Sequence, residues 1–156
     1  MTDPLCLANN FILWGQEEGV GVSPLKIQKL MYLYYARYLH LWNAAPFEDL
    51  FEKWPKGPVL RDVYEALKIF GGDNIPETLT DLRGKVVFFR RDNERFSPAF
   101  NDVTRRFGRM TAHELIQLTH EGLFGSLYET AWKKAPAMGA FLDPLDAMED
   151  GRVLFA

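Results

Sequence analysis

Residues Ser23 to Trp42 read SPLKIQKLMYLYYARYLHLW, and no other run constrains the fold as much. Ser23 fits an N-cap, whose hydroxyl takes a free amide of the first turn, and Pro24 fits the first helical position, where its missing N–H is not needed. Ile27, Leu30, Met31, Tyr34, Tyr38 and Leu41 then recur at helical spacing, so one face is core. Lys26, Lys29 and Arg37 lie off that stripe, while Tyr32, Tyr35 and Trp42 widen the apolar girth beyond what a surface helix needs. The expectation is a central helix.

A helix of that kind needs a body around it, and 156 residues supply one domain spanning 1–156, long enough to bury roughly two-thirds of its unfolded surface. Hydrophobic residues make up 47% and aromatics 14%, which excludes a disordered chain and suggests a core of large rings. A net charge of -3 argues against a protein that coats nucleic acid. The charge is uneven, however: Arg83 to Arg109 hold eight basic residues against Asp92, Glu94 and Asp102. That segment reads either as a steering patch for an acidic partner or as solvated surface. Cys6 is the single cysteine and fits a core position. With no disulfide possible within the chain, no leader pattern and no apolar run of membrane-spanning length, a cytoplasmic location is expected.

Asp3-Pro4, Ser23-Pro24, Ser97-Pro98 and Asp143-Pro144 each place a side-chain acceptor before a proline suited to a first turn. Thr111-x-x-Glu114 and Ser126-x-x-Glu129 have the form of capping boxes. These six starts predict a mainly α fold: a compact single domain of about six helices with a minor short β element. Helix one covers about Pro4 to Gln16 and stops near Gly15 or Gly19; helix two is the tyrosine helix; helix three runs from about Val59 to Phe70 and ends at Gly71-Gly72. Helix four spans about Pro98 to Phe107, helix five Ala112 to His120 and helix six Leu127 to Ala135, and a short helical turn follows Pro144. Lys85 to Arg91 (KVVFFRR) is the one good strand candidate, with its partner expected near Phe51 to Trp54 or in the RVLFA tail.

Catalytic and cofactor signatures are scarce. GVGVSPLK lacks the spacing and Lys-Ser/Thr ending of a phosphate loop. His40, His113 and His120 show no metal-ligand spacing, and Cys6 beside Leu5 and Leu7 reads as packing rather than as a nucleophile. Glu17-Glu18 and Glu48-Asp49 are adjacent carboxylates that point to different sides and read as surface. No catalytic residue, metal or cofactor is therefore assigned, and the chain is not expected to be an enzyme.

What remains is the group Glu52, Trp54, Lys56, Gly57 and Pro58, leading into helix three. Trp54 can bury its ring while its indole N–H seeks an acceptor, and Gly57 permits a tight turn before Pro58 fixes the next φ. The group reads as a rigid helix entry, as a contact surface for a partner, or as both. The tyrosines at 32, 34, 35 and 38 read as core rings with satisfied hydroxyls. His120 fits a structural place at a helix end or a contact with a partner.

Three ordered stretches carry a family resemblance: Leu25-Lys26-Ile27-Gln28-Lys29-Leu30-Met31-Tyr32 with Tyr35-Ala36; Pro46-Phe47, Glu52, Trp54, Gly57-Pro58-Val59 and Val63-Tyr64; and Thr111-x-x-Glu114-Leu115 with Leu118-Thr119-His120. Together they resemble the Panacea domain family, the SocA-like antitoxins known as phage-associated proteins. After Thr119-His120 the family places an acidic residue and a Pro-Trp pair; here Glu121 is followed by Gly122-Leu123-Phe124-Gly125, and Trp132 comes late. The resemblance implies an antitoxin that binds and neutralises a protein toxin encoded nearby, or that delivers it to a AAA+ protease. It marks Lys26, Lys29, Tyr32, Trp54, Lys56, Gly57, Pro58, Tyr64, Thr119 and His120 as the shared surface or its supporting turn. A DNA-binding regulator, with the first two helices as a helix-turn-helix, is the rival from another class, although nucleic acid is disfavoured by the charge.

Overall fold

The computed structural model describes residues 3–80, 83–122 and 127–156. Among these the fold is mainly α: α1 (Pro4–Glu18), α2 (Pro24–Trp42), α3 (Arg61–Leu67), α4 (Ser97–Phe107), α5 (Ala112–Glu121), α6 (Ala131–Lys134) and α7 (Pro144–Leu154). A 3-10 turn, Lys68–Phe70, extends α3, and strands β1 (Glu52–Trp54) and β2 (Gly57–Val59) form a small antiparallel hairpin. No helix among the described residues is long and apolar enough to cross a membrane.

Helix α2 is the centre, as its girth predicts. Ser23 Oγ accepts from Lys26 N, and Asn43 closes the far end in the left-handed conformation. Burial is continuous from Lys26 to Ala36 on every side, so Lys26 and Lys29, expected off the core stripe, lie inside. Helices α1, α4, α5 and α7, together with β2, pack around it. The closest approach is to α7, where a Cβ on Gly151 would collide with the Ala36 carbonyl. Three tyrosines of α2 pair with rings from elsewhere: Tyr32 with Phe51 at 5.2 Å, Tyr34 with Phe96 at 5.5 Å and Tyr35 with Phe47 at 5.5 Å between centroids. Cys6 is buried, in keeping with a packing role.

Asp3, Ser23, Asp143 and Thr111 cap their helices with side-chain oxygens, and Thr111 and Glu114 complete a capping box. Other starts differ. Ser97 lies inside the first turn of α4 without capping it; Asn93 Oδ1 accepts from Arg95 N and Phe96 N ahead of it instead. Thr130 caps α6, which is shorter than Leu127 to Ala135, and Ser126 lies outside the described residues. Val59 belongs to β2, so α3 begins later than expected. The turn after Pro144 extends to eleven residues and takes Arg152, Val153 and Leu154 of the RVLFA tail into α7, so the tail is no strand partner.

The Lys85 to Arg91 strand is not formed. Two side chains of α1 satisfy its backbone in place of a neighbouring strand. Asn9 Nδ2 donates to the carbonyls of Leu79 (2.9 Å) and Val87 (2.7 Å), and Asn9 Oδ1 accepts from Leu79 N. Asn10 brackets Phe89, donating to its carbonyl at 2.9 Å and accepting from its N–H at 2.8 Å. Among the described residues, an isolated bridge, Thr80 to Val86, is the sheet pairing there.

Candidate functional site

The hairpin positions the site. Glu52, Lys53 and Trp54 pair with Val59, Pro58 and Gly57, leaving Pro55 and Lys56 as the two-residue turn. Gly57 holds φ 121°, a value that side-chain-bearing residues rarely adopt. The outer edge of β1 is covered as well: Lys53 N donates to Ala140 O, Gly139 N to Lys53 O and Leu142 N to Phe51 O. Its root is clamped to α2 by Gln28, whose amide both accepts from Leu60 N (2.9 Å) and donates to Leu60 O (3.1 Å). Glu52, buried to 6% exposure, forms a fork with Arg61 at 2.8 and 3.0 Å and receives a long contact from the Trp54 indole.

Beneath the turn lies Lys29, fully buried. Its Nζ donates to Pro58 O at 3.3 Å and, among the described residues, forms no ion pair. Burial pulls its pKa down to about 7, because a cation without a nearby anion is costly away from water. His120, on the last turn of α5, comes in from the other direction. Its ring stacks on Trp132 of α6 at 3.9 Å between centroids, 7° from parallel. Trp132 Nε1 in turn donates to Trp54 O at 2.8 Å, and Lys53 Nζ sits 4.5 Å from the Trp132 ring. His120 Nε2 is buried without a hydrogen-bond partner among the described residues. Burial first, and then the Lys29 charge, hold the imidazole below its usual range, against an upward pull from the Lys56 backbone.

On the outside of the hairpin the Trp54 ring meets Tyr64 edge-on at 4.8 Å, and the Arg61 guanidinium lies 5.6 Å from it. A groove of about 360 Å³ opens here, lined by Pro24, Leu25 and Gln28 of α2, by Trp54, Lys56 and Val59 of the hairpin, and by Tyr64, Leu67, Lys68, Gly71 and Gly72.

The structure thus gathers Lys29, Trp54, Lys56, Gly57, Pro58, Tyr64 and His120 around one hairpin. Three expected site residues stand apart. Tyr32 donates to the buried carboxylate of Asp150, which also accepts from Tyr128 (2.7 Å) and Ala131 N (3.1 Å), a packing network between α2, α6 and α7. Thr119 turns its hydroxyl back to the carbonyls of Leu115 and Ile116. Lys26 is buried, and its pKa is lowered by that burial and by Arg109. Conversely, Gln28, Arg61 and Trp132 carry the site without having been singled out for it. Gln28 is part of the first family motif, whereas Trp132, late in the sequence for the family's tryptophan, supplies the ring on which His120 rests.

The basic segment is largely engaged within the chain. Arg91 pairs with Glu17, Arg109 with Glu18, Arg105 with Asp102 and Arg90 with Asp92, and Arg95 lies over the Trp42 ring. Among the described residues, no cluster of three His, Cys, Asp or Glu side chains is placed to hold a metal ion.

No curated protein and no solved structure matches this chain. The profile described as antitoxin SocA-like, Panacea domain, matches residues 27–123, from α2 to the end of α5, and so takes in the hairpin, Lys29 and His120. With that match spanning more than half its length, the chain belongs to the SocA-like antitoxin, Panacea domain family.

Proposed function

We propose that this protein is the antitoxin of a toxin–antitoxin pair and neutralises a cognate protein toxin by binding it directly, without catalysis of its own. One observation carries the reading beyond family membership: the motif residues converge on a braced hairpin whose outer side borders a largely apolar groove. Trp54, Tyr64, Leu25, Val59 and Leu67 give that groove aromatic and aliphatic walls, and Lys56 adds an exposed cation with no ion-pair partner among the described residues. Rigid aromatic anchors beside a fixed backbone are what a protein-binding hot spot requires. Lys29, Gln28 and the Glu52–Arg61 fork act as supports that hold the hairpin in place, which is why buried and exposed residues share one motif.

The test is co-expression with the adjacent open reading frame, followed by pull-down. Growth rescue with a stable complex, weakened by Lys56→Glu and by Tyr64→Ala in proteins that still fold, supports direct neutralisation through the groove. Rescue that disappears in a protease-deficient host and leaves no complex replaces this reading with proteolytic delivery.

A further inference from the structure

The hairpin gains a third member beyond β1. Phe141 bridges Glu52 in the antiparallel sense, so Val59, Glu52 and Phe141 stand side by side in one row. Successive residues of such chains alternate between faces, and burial follows: Phe51 and Leu142 are buried, while Leu50 and Phe141 keep 37% and 60% of their surface in water. The bond from Leu142 N to Phe51 O continues the register and sets Leu50 opposite Asp143, diagonal to Phe141 and within reach of its ring. Helix α3 covers the same face in part. Arg61 forks onto Glu52 and Tyr64 meets Trp54, which leaves Phe141 and Leu50 open on the side away from the groove. Leu145, 70% exposed, follows Asp143 in the first turn of α7.

The charge around these two side chains has one sign. Residues 43–52 and 135–151, which supply this part of the face, contain no Lys, Arg or His. Glu52 is taken up by Arg61, but Glu48, Asp49 and Asp143 form no ion pair among the described residues, and Asp143 spends one oxygen on the Leu145 amide. Burial first, and then the charges of Asp62, Asp3 and Glu48, raise the Asp49 carboxyl against the pull of its own amide, as expected of carboxylates crowded without a counter-ion.

We infer that the outer face of the hairpin extends the groove into a second contact, at which a segment of the toxin bearing apolar and basic side chains packs on Phe141 and Leu50 and pairs its cations with Glu48, Asp49 and Asp143. The inference deepens the neutralisation reading and rests on it for the owner of that segment. Large apolar side chains left in water beside a rim of uncompensated charge mark an interaction surface, and the sign of the rim selects the occupant. Two copies of this chain meeting there would set carboxylates against carboxylates, and nucleic acid is repelled by the same charges. Lys56, at the hairpin tip, gives the opposite end of the face a positive charge. The toxin surface must therefore run from acidic at Lys56 to basic at Asp49, which fixes the direction in which it lies.

The product of the adjacent open reading frame is titrated against the wild-type chain, Phe141→Ser and the double variant Glu48→Lys/Asp49→Asn, with Tyr64→Ala as the probe of the groove and thermal unfolding of each chain measured alone. Phe141 is exposed, and the double variant relieves like-charge crowding, so the fold is retained. A loss of about tenfold or more in affinity for both Phe141→Ser and the double variant, with unfolding midpoints unchanged, supports the contact. Wild-type affinity in either of them overturns it, and a weakened Tyr64→Ala in the same series leaves neutralisation through the groove standing. Failure of the wild-type chain to bind overturns neutralisation and the contact together. A concentration-dependent dimer of the wild-type chain that Phe141→Ser abolishes gives the face to a second copy and also overturns it. Salt supplies a check on the charges: wild-type affinity falls as salt rises and that of the double variant falls less steeply, whereas equal slopes refute the pairing. The Phe141 ring resonances need no variant. They shift or broaden when the toxin binds, and a ring unchanged in the complex refutes the contact.

Discussion

Lys29 Nζ and His120 Nε2 meet over the bare Cα of Gly57: a Cβ built on that glycine would lie 2.5 Å from the lysine nitrogen and 3.3 Å from the imidazole nitrogen. Two basic groups from α2 and α5 thus share the space that a side chain would otherwise fill. The hairpin can lie this close to both helices only because residue 57 has no side chain.

Gly57→Ala is therefore strained twice, by a φ of 121° and by contact with Lys29. The expected cost is about 2–3 kcal/mol in denaturant unfolding. The obstructing atoms are the far end of a flexible side chain, so part of that cost is relieved in a Lys29→Ala background while the backbone part remains. A double-mutant cycle measures the split. Strict additivity would show that the lysine does not fill the space.

The buried lysine also makes stability depend on pH. Lys29 has a folded-state pKa of about 7 against 10.5 in the unfolded chain. Between these values the unfolded state binds the extra proton, so this group's contribution rises with pH from about 7 to 10.5 and is lost as pH falls through that window. Lys29→Met retains the bulk and removes the titration. The unfolding midpoint of the wild type minus that of Lys29→Met is expected to climb from pH 7 to pH 10; a flat difference would mean that the ammonium has found water or an anion.

The parts of this architecture that the sequence discloses are those written locally. Asp3-Pro4, Ser23-Pro24 and Asp143-Pro144 start helices because cap and proline act within one turn. Ser97-Pro98 misleads because the backbone is already helical at Phe96, following a turn in which Asn93 Oδ1 accepts from Arg95 N and Phe96 N. KVVFFRR has the composition and alternation of a strand, but its partners are Asn9 and Asn10, with Asn9 and Val87 standing 78 positions apart, and two amides on a helix leave no trace in a periodicity. The same holds for the site: Trp54, Gly57 and Pro58 mark a turn by their chemistry, whereas Trp132 supports His120 only once α6 has folded back across the hairpin.

Long-range packing is just as selective in the Asp150 network. Tyr32, 118 positions earlier, is one of two tyrosines donating to that buried carboxylate. Tyr32→Phe removes one donor and leaves the charge to Tyr128 and Ala131 N. The expected loss is about 1–3 kcal/mol at neutral pH. Tyr32→Phe/Asp150→Asn is expected to recover part of it, since the charge goes with the donor; calorimetry on the set checks this, and no recovery would place the cost in ring packing instead.

Trp132 offers a separate handle on His120. Trp132→Phe keeps a ring against the imidazole but gives up the bond from Nε1 to Trp54 O, an expected cost of about 1 kcal/mol. Trp132→Ala uncovers the imidazole, costs about 2–3 kcal/mol and lets the His120 pKa rise towards its ordinary 6.5, because burial is the main cause of its depression. Lys29→Met raises the same pKa by a different route, removing a neighbouring positive charge while leaving the stack intact. Titration of the His120 ring proton by NMR separates the two routes: both variants move the midpoint up, and only Trp132→Ala also lowers the unfolding temperature through lost packing. A midpoint unmoved by Lys29→Met would mean that lysine and imidazole do not sense each other across Gly57.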